Sequence, residues 1–401
     1  MTSSELLLAQ LHSLAIFRGI LQNNVMKKLT ALLSASAADV CAAVDAYGAF
    51  AAALYAHTDS FSDYLLKAVL DDENVYVHAC CEGGDISAQL IDGLAQELLF
   101  LQELSLFDAS ELCCALRGAG YSGYLPAWGT RPHDFDAVYR ARIADLPRQG
   151  YGIFAKYHVF TVRDGRFVPV KHPDPQSLSS LSGYERERSK ILANTRALLE
   201  GRPAANALLY GDAGTGKSST VKAVANALCG EGLRLIEVKK NQLYQIPDLV
   251  DSLSHNPLKF ILFIDDLSFS ANDDDFAALK AILEGSVSSR GSNLVVYATS
   301  NRRHLVKEMF SDRAGDEVHL ADTMQEVMSL SARFALTVTF SRPDKELYCH
   351  IVQHLALLYG LDMPPDMLLQ KAEAHAIRSG GRSPRVAKQF IEQLKSEGTP
   401  C

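Results

Sequence analysis

The feature that most constrains this chain is a glycine-rich segment between a short apolar run and a helical pattern. Residues 207–210 are apolar and predict a buried strand, and Gly211-Asp-Ala-Gly-Thr-Gly-Lys-Ser218 follows with the spacing G-x-x-x-x-G-K-S. Residues 219–228 are rich in Ala and Val and predict a helix that ends near Gly230. A strand, a glycine-rich turn and a helix in this order are typical of a phosphate-binding loop, and a chance turn is a much weaker explanation.

The residue types of this segment suit phosphate chemistry. Glycines let backbone N–H groups close around phosphate oxygens without a clashing Cβ, and the start of the next helix adds free N–H groups and partial positive charge. Lys217 can reach the β- and γ-phosphates, and the Ser218 hydroxyl can ligate Mg²⁺. The predicted cofactors are therefore ATP and Mg²⁺. The residues expected to hold the nucleotide are Gly211, Asp212, Ala213, Gly214, Thr215, Gly216, Lys217, Ser218 and Ser219.

Composition is typical of a folded chain of two or three domains. The chain has 401 residues, 48% hydrophobic and 21% charged, so it can bury a sizeable core. A net charge of −8 argues against extended non-specific binding to nucleic acid, although a local basic patch is compatible with an acidic total. We expect a cytoplasmic protein with no membrane partner, because the eight cysteines show no metal-binding spacing and no signal peptide or membrane-spanning run is evident.

Changes in pattern divide the chain into four segments. Residues 1–150 are almost wholly helical in pattern, and 151–176 alternate around Asp164-Gly165, which predicts a β-hairpin followed by a linker. Residues 177–341 alternate strands with helices, which predicts a parallel sheet flanked by helices, and 342–401 predict a helical lid. The predicted fold class is therefore α/β, with a mostly helical N-terminal domain and a hairpin before the core.

Polar residues end two of the predicted core strands. These strands lie at 207–210, 234–238, 260–264, 294–298 and 336–340. Asp265 and Asp266 follow the third and Asn301 the fourth, and in a parallel sheet these ends lie beside the phosphate loop. We expect Asp265 to hold Mg²⁺, Asp266 to orient or deprotonate the attacking water, and Asn301 to bond that water or the γ-phosphate. Solvated turn acids and a helix cap are the alternatives for the aspartates and for Asn301.

Taken together, these segments resemble an AAA+ ATPase. The glycine-rich segment matches the Walker A loop, Asp265-Asp266 the Walker B motif and Asn301 the sensor 1 residue. Ser329-Leu-Ser-Ala-Arg-Phe334 resembles the segment that carries an arginine finger, with Arg333 as the finger, and an ordinary surface arginine is the alternative. Gly381-Arg-Ser-Pro-Arg385 resembles the sensor 2 motif, with Arg385 as the sensor.

The resemblance extends beyond these motifs. Leu181-Ser-Gly-Tyr-Glu185 resembles the segment that contacts adenine, which adds Tyr184 to the nucleotide-binding residues. Asn301-Arg-Arg-His304 and the insertion at 312–330 make the chain similar to a bacterial group of AAA+ proteins of unassigned function, the DUF815 group. The resemblance implies a Mg²⁺-dependent ATP hydrolase that works as a homo-oligomer, with Arg333 acting on a neighbouring subunit and Arg385 on its own.

The acid pair departs from the usual family pattern. Many AAA+ proteins carry Asp-Glu where this chain has Asp265-Asp266, and the shorter Asp266 implies slower turnover, with Glu284 on the next helix as a weaker candidate base. Replication-initiator ATPases also resemble this chain in their double Asp, and they use ATP as a slow switch.

Three uses of ATP are compatible with the sequence. We favour an ATPase that remodels a protein partner over a slow switch or loader acting on nucleic acid, and over a scaffold that hardly hydrolyses ATP. Threading remodelers place an aromatic-apolar-Gly loop after the second core strand, where this chain has Asn241-Gln-Leu-Tyr-Gln245. Because no glycine follows Tyr244, we expect Tyr244 to be a packing residue.

Overall fold

The computed structural model describes residues 3–36, 38–267, 274–285, 293–301 and 332–396. By contact density the chain separates into two compact units, residues 1–155 and 156–401, and each is described by itself. The division of the sequence into four segments remains a prediction.

The first unit is helical, as its sequence pattern predicts. Its helices are α1 (Ser3–Ser13), α2 (Asn24–Leu33), α3 (Val40–Tyr55), α4 (Phe61–Asp71), α5 (Val75–Glu82), α6 (Ala88–Leu104), α7 (Ser110–Gly118), α8 (Phe135–Ala144) and α9 (Leu146–Gln149), with a 3₁₀ turn at Phe17–Gln22. The sequence predicts Ser36 as the cap of the third helix, and this is wrong. Asp39 caps it, because its carboxylate lies 3.1 Å from the Ala42 N–H.

The core of this unit is built from aromatic and aliphatic side chains on the inner faces of the helices. Phe17, Phe50, Phe61 and Phe135 are fully buried. The only tryptophan, Trp128, lies in the segment between α7 and α8, and its ring centroid is 4.8 Å from that of Phe50. Its fluorescence therefore reports on the packing of this unit alone.

A carboxylate from α6 holds the turn that follows α1. Glu97 accepts hydrogen bonds from the backbone N–H groups of Ala15 (2.8 Å), Ile16 (3.1 Å) and Phe17 (2.9 Å), about 80 residues earlier in the chain. These N–H groups lie just before and at the start of the 3₁₀ turn Phe17–Gln22, where backbone donors have no carbonyl partner within the turn itself. Glu97 is a structural residue that the sequence pattern does not identify.

We expect Glu97→Ala to lower the free energy of unfolding of the first unit by about 2 kcal/mol, because hydrogen bonds to a charged group contribute about 1.5–3 kcal/mol. Urea unfolding followed by Trp128 fluorescence measures it. Glu103→Ala, an exposed position on the same helix, is the matched control and should leave the midpoint unchanged. Equal midpoints for both variants would remove the structural role of Glu97.

The second unit contains a seven-stranded sheet. Its strands are β1 (Val159–Arg163), β2 (Arg166–Pro169), β3 (Ala207–Gly211), β4 (Leu233–Val238), β5 (Lys259–Ile264), β6 (Leu294–Ser300) and β7 (Leu336–Phe340), in the order β2-β1-β4-β5-β6-β3-β7. Every neighbouring pair is parallel except β1 with β2. The central strands β5 and β6 are mostly apolar, as is typical of a parallel sheet with helices on both faces. This confirms the predicted parallel core and its five strands.

The predicted hairpin is confirmed, and it joins the sheet. Asp164 and Gly165 both have positive φ (49° and 66°), which suits the two-residue turn between β1 and β2. The strand β1 also pairs in parallel with β4, with Phe160 beside Ile236. The sequence pattern shows the hairpin but not this long-range pairing, so its place at the edge of the core sheet is a finding of the structure.

The helices of the second unit flank the sheet and form the lid. They are α10 (Ile153–Lys156, which spans the boundary between the units), α11 (Glu185–Leu199), α12 (Lys217–Leu228), α13 (Ile246–Leu253), α14 (Asp274–Gly285), α15 (Lys345–Tyr359), α16 (Pro365–Arg378) and α17 (Pro384–Ser396), with 3₁₀ turns at Leu178–Ser180, Cys229–Glu231 and Lys240–Gln245. Ile351, Ala372 and Phe390 of the three lid helices belong to the same buried cluster as Leu209 and Val338 of the sheet. The predicted lid is therefore packed on the core.

Two further observations concern the surface. Tyr244, in the 3₁₀ turn Lys240–Gln245, is 67% exposed, so the packing role expected for it is wrong.

Among the helices that the structure describes, none has the length and apolar character needed to cross a bilayer.

Candidate nucleotide-binding site

A cavity of about 720 Å³ lies at the carboxyl edge of the sheet. The glycine-rich loop after β3, the acid pair after β5 and the end of β6 line one side of it. Residues 175–184 and the lid helices α15 and α17 line the other. The parallel sheet brings these distant segments together, because the ends of its strands meet at one edge.

The glycine-rich loop has the backbone that its sequence predicts. Gly211, Gly214 and Gly216 have φ values of 139°, 77° and 94°, in the region that favours glycine. A Cβ on Gly211 would lie 2.1 Å from the carbonyl oxygen of Phe340, so only glycine fits beside β7. The loop ends at the start of the 12-residue helix α12, and the hydroxyl of Thr215 donates to the Asp212 carbonyl (2.8 Å). Backbone N–H groups at this helix start suit an anion.

The ammonium of Lys217 is held inside the loop. Its Nζ donates to the carbonyls of Gly211 (2.8 Å) and Asp212 (2.7 Å) and to Oδ1 of Asn301 (3.0 Å). Burial lowers the pKa of Lys217, and the carboxylates of Asp212, Asp266 and Asp265 oppose that shift. The site thus combines a partly desolvated cation with three acids, an arrangement that suits a bound phosphate with its metal ion.

The carboxylate of Asp265 accepts hydrogen bonds from two hydroxyl groups. Ser218 Oγ donates to its Oδ1 at 2.6 Å, and Thr299 Oγ1 donates to the same oxygen at 2.5 Å. The structure therefore places Ser218 and Asp265 together, as a shared Mg²⁺ site requires. In the part of the chain that the structure describes, no group of three or more His, Cys, Asp or Glu side chains is arranged to hold a metal. A hydroxyl and a carboxylate side by side suit Mg²⁺, which takes one or two protein ligands and completes its shell with phosphate and water.

Sequence reasoning missed Thr299. Its hydroxyl donates to Asp265 and accepts from the backbone N–H of Asp266 (2.9 Å), so it fixes both acids. Its place at the end of β6, on the same edge as the acid pair, is the signal that could have found it.

Asp266 and Asn301 form the next part of the site. Asp266 has a φ of 54°, which is uncommon for a non-glycine residue. Its Oδ1 accepts from Nδ2 of Asn301 (2.9 Å), while Asn301 Oδ1 accepts from Lys217. Asn301 therefore bridges the acid and the cation. Glu284 lies within α14, and its side chain is outside the described part of the structure.

Tyr184 and Arg385 line the far side of the cavity. The hydroxyl of Tyr184 donates to the Ser341 carbonyl (2.7 Å), and its ring lies 5.3 Å from that of Phe340, so it forms a fixed wall. The backbone N–H of Arg385 donates to the Gly214 carbonyl (3.1 Å). The lid helix α17 therefore begins in direct contact with the phosphate loop. Ala213 and Ser219 line the same cavity.

Arg333 lies elsewhere. It is half-buried in the turn before β7, whose first residue is Leu336, and it is not among the described residues that line the cavity. Since β7 runs parallel to β3 and Phe340 pairs with Gly211, Arg333 is at the opposite edge of the sheet. Residues 302–304 and the insertion at 312–330 lie outside the described residues.

The fold and the site together define a P-loop protein core of the AAA+ class. The phosphate loop follows β3, which lies between β6 and β7, and the acid pair follows β5 on the other side of β6. The chain belongs to the DUF815 family. It matches the family model described as "Protein of unknown function (DUF815)" over residues 155–398, more than half of its length.

Solved structures with a similar fold include RuvB from Thermotoga maritima, described as a Holliday junction branch migration motor, at 17% identity and a TM-score of 0.37. That match covers 55% of this chain and 65% of the RuvB chain, which is less than two thirds of its length. DnaA from Aquifex aeolicus bound to AMPPCP matches at 18% identity and a TM-score of 0.39, over 56% of this chain and 67% of that chain. Comparison with curated proteins gave no match.

Proposed function

We propose that this protein binds ATP with Mg²⁺ in the cavity beside Lys217, hydrolyses it, and couples hydrolysis to a conformational change that remodels a partner. The observation that carries the proposal is the convergence of three segments. Hydrogen bonds of 2.5–3.0 Å link Lys217 to Asn301, Asn301 to Asp266, and Ser218 to Asp265, and Thr299 connects the two acids beside the glycine loop. Chance turns and solvated acids would not form such a network.

Each side chain has a role in this proposal. Lys217 and the loop N–H groups would hold the β- and γ-phosphates, and Ser218 and Asp265 would hold Mg²⁺, which when bound would supply positive charge to the phosphate oxygens. Asp266 accepts a proton from the attacking water as the new P–O bond forms and ADP leaves with the bridging oxygen. Asn301 keeps Asp266 and Lys217 in place.

The lid and an adjacent subunit complete the proposed cycle. Arg385 lies at the start of the lid helix α17 and contacts Gly214 of the phosphate loop. Release of the phosphate therefore changes the surface on which the lid packs. Arg333, at the opposite edge of the sheet, serves the phosphate of a neighbouring copy, which makes the working form a homo-oligomer.

We place this activity in the cytoplasm, where the free thiols of the seven described cysteines stay reduced.

A slow nucleotide switch is the alternative use of the same site. Asp266 is shorter than glutamate, and its carboxylate is already engaged by Asn301, which favours slow turnover. The rate of ATP turnover, measured with and without a partner, separates the two uses. A remodelling ATPase hydrolyses many ATP molecules in the presence of its partner, whereas a switch completes one hydrolysis for each binding event.

We expect Lys217→Ala to weaken ATP binding by roughly 10²–10⁴-fold, because removing one partner of a buried charge pair costs about 3–5 kcal/mol. Equilibrium titration with a fluorescent ATP analogue and Mg²⁺ measures the affinity. Lys190→Ala, an exposed position on α11 with the same change of charge, is the control and should bind normally. Unchanged affinity in Lys217→Ala would mean that the phosphates bind elsewhere.

A further inference from the structure

The outer edge of the sheet carries a cationic surface that the nucleotide site does not use. We define the basic edge patch as Arg163 and Arg166 at the hairpin turn, Lys239 after β4, and Tyr244 in the following 3₁₀ turn. All four are exposed. Because β1 and β4 are parallel, their carboxyl ends lie on the same side of the sheet, and Thr161 pairs with Glu237. Arg163 and Lys239 each lie two residues after this pair, so they occupy matching positions at the ends of the two strands.

Hydrogen bonds connect the residues that form the basic edge patch. Gln242 Nε2 donates to the Val162 carbonyl (2.8 Å), and Gln245 Oε1 accepts from the Gly165 N–H (3.1 Å). The other end of the Gln245 side chain donates to the hydroxyl of Tyr244 (2.7 Å). Gln245 therefore ties the aromatic ring to the hairpin turn, and Leu243 anchors the segment in the core. The ring of Tyr244 is exposed to solvent, while the hydrogen bond to its hydroxyl fixes its position.

The charges of the patch are not balanced locally. Arg163 and Arg166 are directly opposite each other in the hairpin, where like charges destabilise a strand pair. Within the described part of the chain, no ion pair includes Arg163, Arg166 or Lys239. The acids nearest to them in sequence are Asp164 in the turn, Glu237, which pairs with Lys222 at 2.8 Å, and Asp248, exposed at the start of α13. Two opposed arginines are a cost to folding that a bound anion would remove.

We propose that the basic edge patch binds single-stranded nucleic acid. Three cations grouped at neighbouring strand ends can contact the phosphates of a single strand, and an exposed, fixed tyrosine offers a face on which an unpaired base stacks. An acidic polypeptide would use the cations but would leave the ring of Tyr244 without a partner. Because the patch shares no residue with the phosphate loop, this binding does not depend on the proposed ATPase activity.

The expected size of the effect follows from the charges. Contacts with about three phosphates of a single strand give a salt dependence with a slope of about −2, so doubling the salt concentration weakens binding about fourfold. Stacking on one aromatic ring contributes about fivefold or more in affinity.

The test is fluorescence anisotropy of a labelled 20-nucleotide oligo-dT with the full chain, without nucleotide, over a range of salt concentrations. We expect the double variant Arg163→Gln/Arg166→Gln to bind at least tenfold more weakly and to reduce the salt slope by about 1.4. Tyr244→Ala should weaken binding about fivefold or more with the slope unchanged. The double variant should unfold no more easily than the parent, because it removes a like-charge pair.

Arg117→Gln/Arg148→Gln, two exposed arginines of the first unit, gives the same change of net charge and should bind as the parent does. The proposal is overturned if the parent does not bind oligo-dT at low salt, or if the two double variants bind alike. It is also overturned if Tyr244→Ala has no effect while poly-glutamate of equal charge competes as well as the oligonucleotide, since the surface would then recognise acidic polypeptide. ATP binding, measured separately on each variant, reports on the nucleotide site alone.

Discussion

Arg333→Ala is expected to lower ATP turnover by roughly 10³–10⁵-fold while ATP binding stays near normal. An arginine that meets the developing charge on the γ-phosphoryl oxygens contributes on this order to the rate, and it contributes little to ground-state binding. The structure places Arg333 before β7, and the five residues of that strand, a length of roughly 13 Å, separate it from the edge where the phosphate loop lies. This distance is the reason for our proposal that Arg333 serves a neighbouring subunit.

Mixing two inactive variants tests this assignment. An Arg333→Ala subunit keeps its phosphate loop, and a Lys217→Ala subunit keeps its Arg333. We expect neither alone to turn over ATP and the mixture to recover part of the parental rate, because the mixed interface contains one complete site. A mixture that stays inactive although its subunits assemble, or Arg333→Ala at full rate alone, would remove the role in trans.

Asp266→Asn is expected to reduce turnover by roughly 10²–10⁴-fold, the usual contribution of a positioned general base. An amide accepts no proton from water at neutral pH, but its oxygen still accepts the hydrogen bond from Asn301, so the geometry of the site is kept. ATP affinity should hold or improve slightly, because one negative charge near the phosphates is gone. Single-turnover hydrolysis and equilibrium binding, measured on the same preparation, separate the two effects.

The matched control for this variant is Asp251→Asn, an exposed position on α13 with the same chemical change. It should hydrolyse ATP at the parental rate. If Asp266→Asn also keeps that rate, another group takes the proton, and Glu284→Gln becomes the informative variant.

Local patterns of the sequence predict much of the second unit. Apolar runs of five or six residues, such as 260–264, appear as buried strands within one or two residues of their expected bounds. Asp164-Gly165 marks its hairpin turn because few other residue pairs adopt positive φ at both positions. The phosphate loop is readable for a similar reason, since its glycines are needed at fixed spacing wherever a backbone closes around an anion.

Interactions between distant segments are not encoded in such patterns. Thr299 is polar and unremarkable in sequence, yet its hydroxyl lies between Asp265 and Asp266. Tyr244 was expected to pack and is exposed, because the anchor of its segment is Leu243 and the ring is turned to solvent. The carboxylate of Glu97 reaches backbone groups about 80 residues away.

The sequence by itself determined which residue types follow each strand and where the backbone needs glycine, and from these it predicts a phosphate site, because such features depend on local spacing and residue type. Only the tertiary structure decided which of these residues meet. It joined Asn301 to both Lys217 and Asp266, placed Arg333 at the far edge of the sheet, and aligned the hairpin with β4. Such contacts depend on strand order, which is set by burial over the whole domain and by no short stretch of the chain.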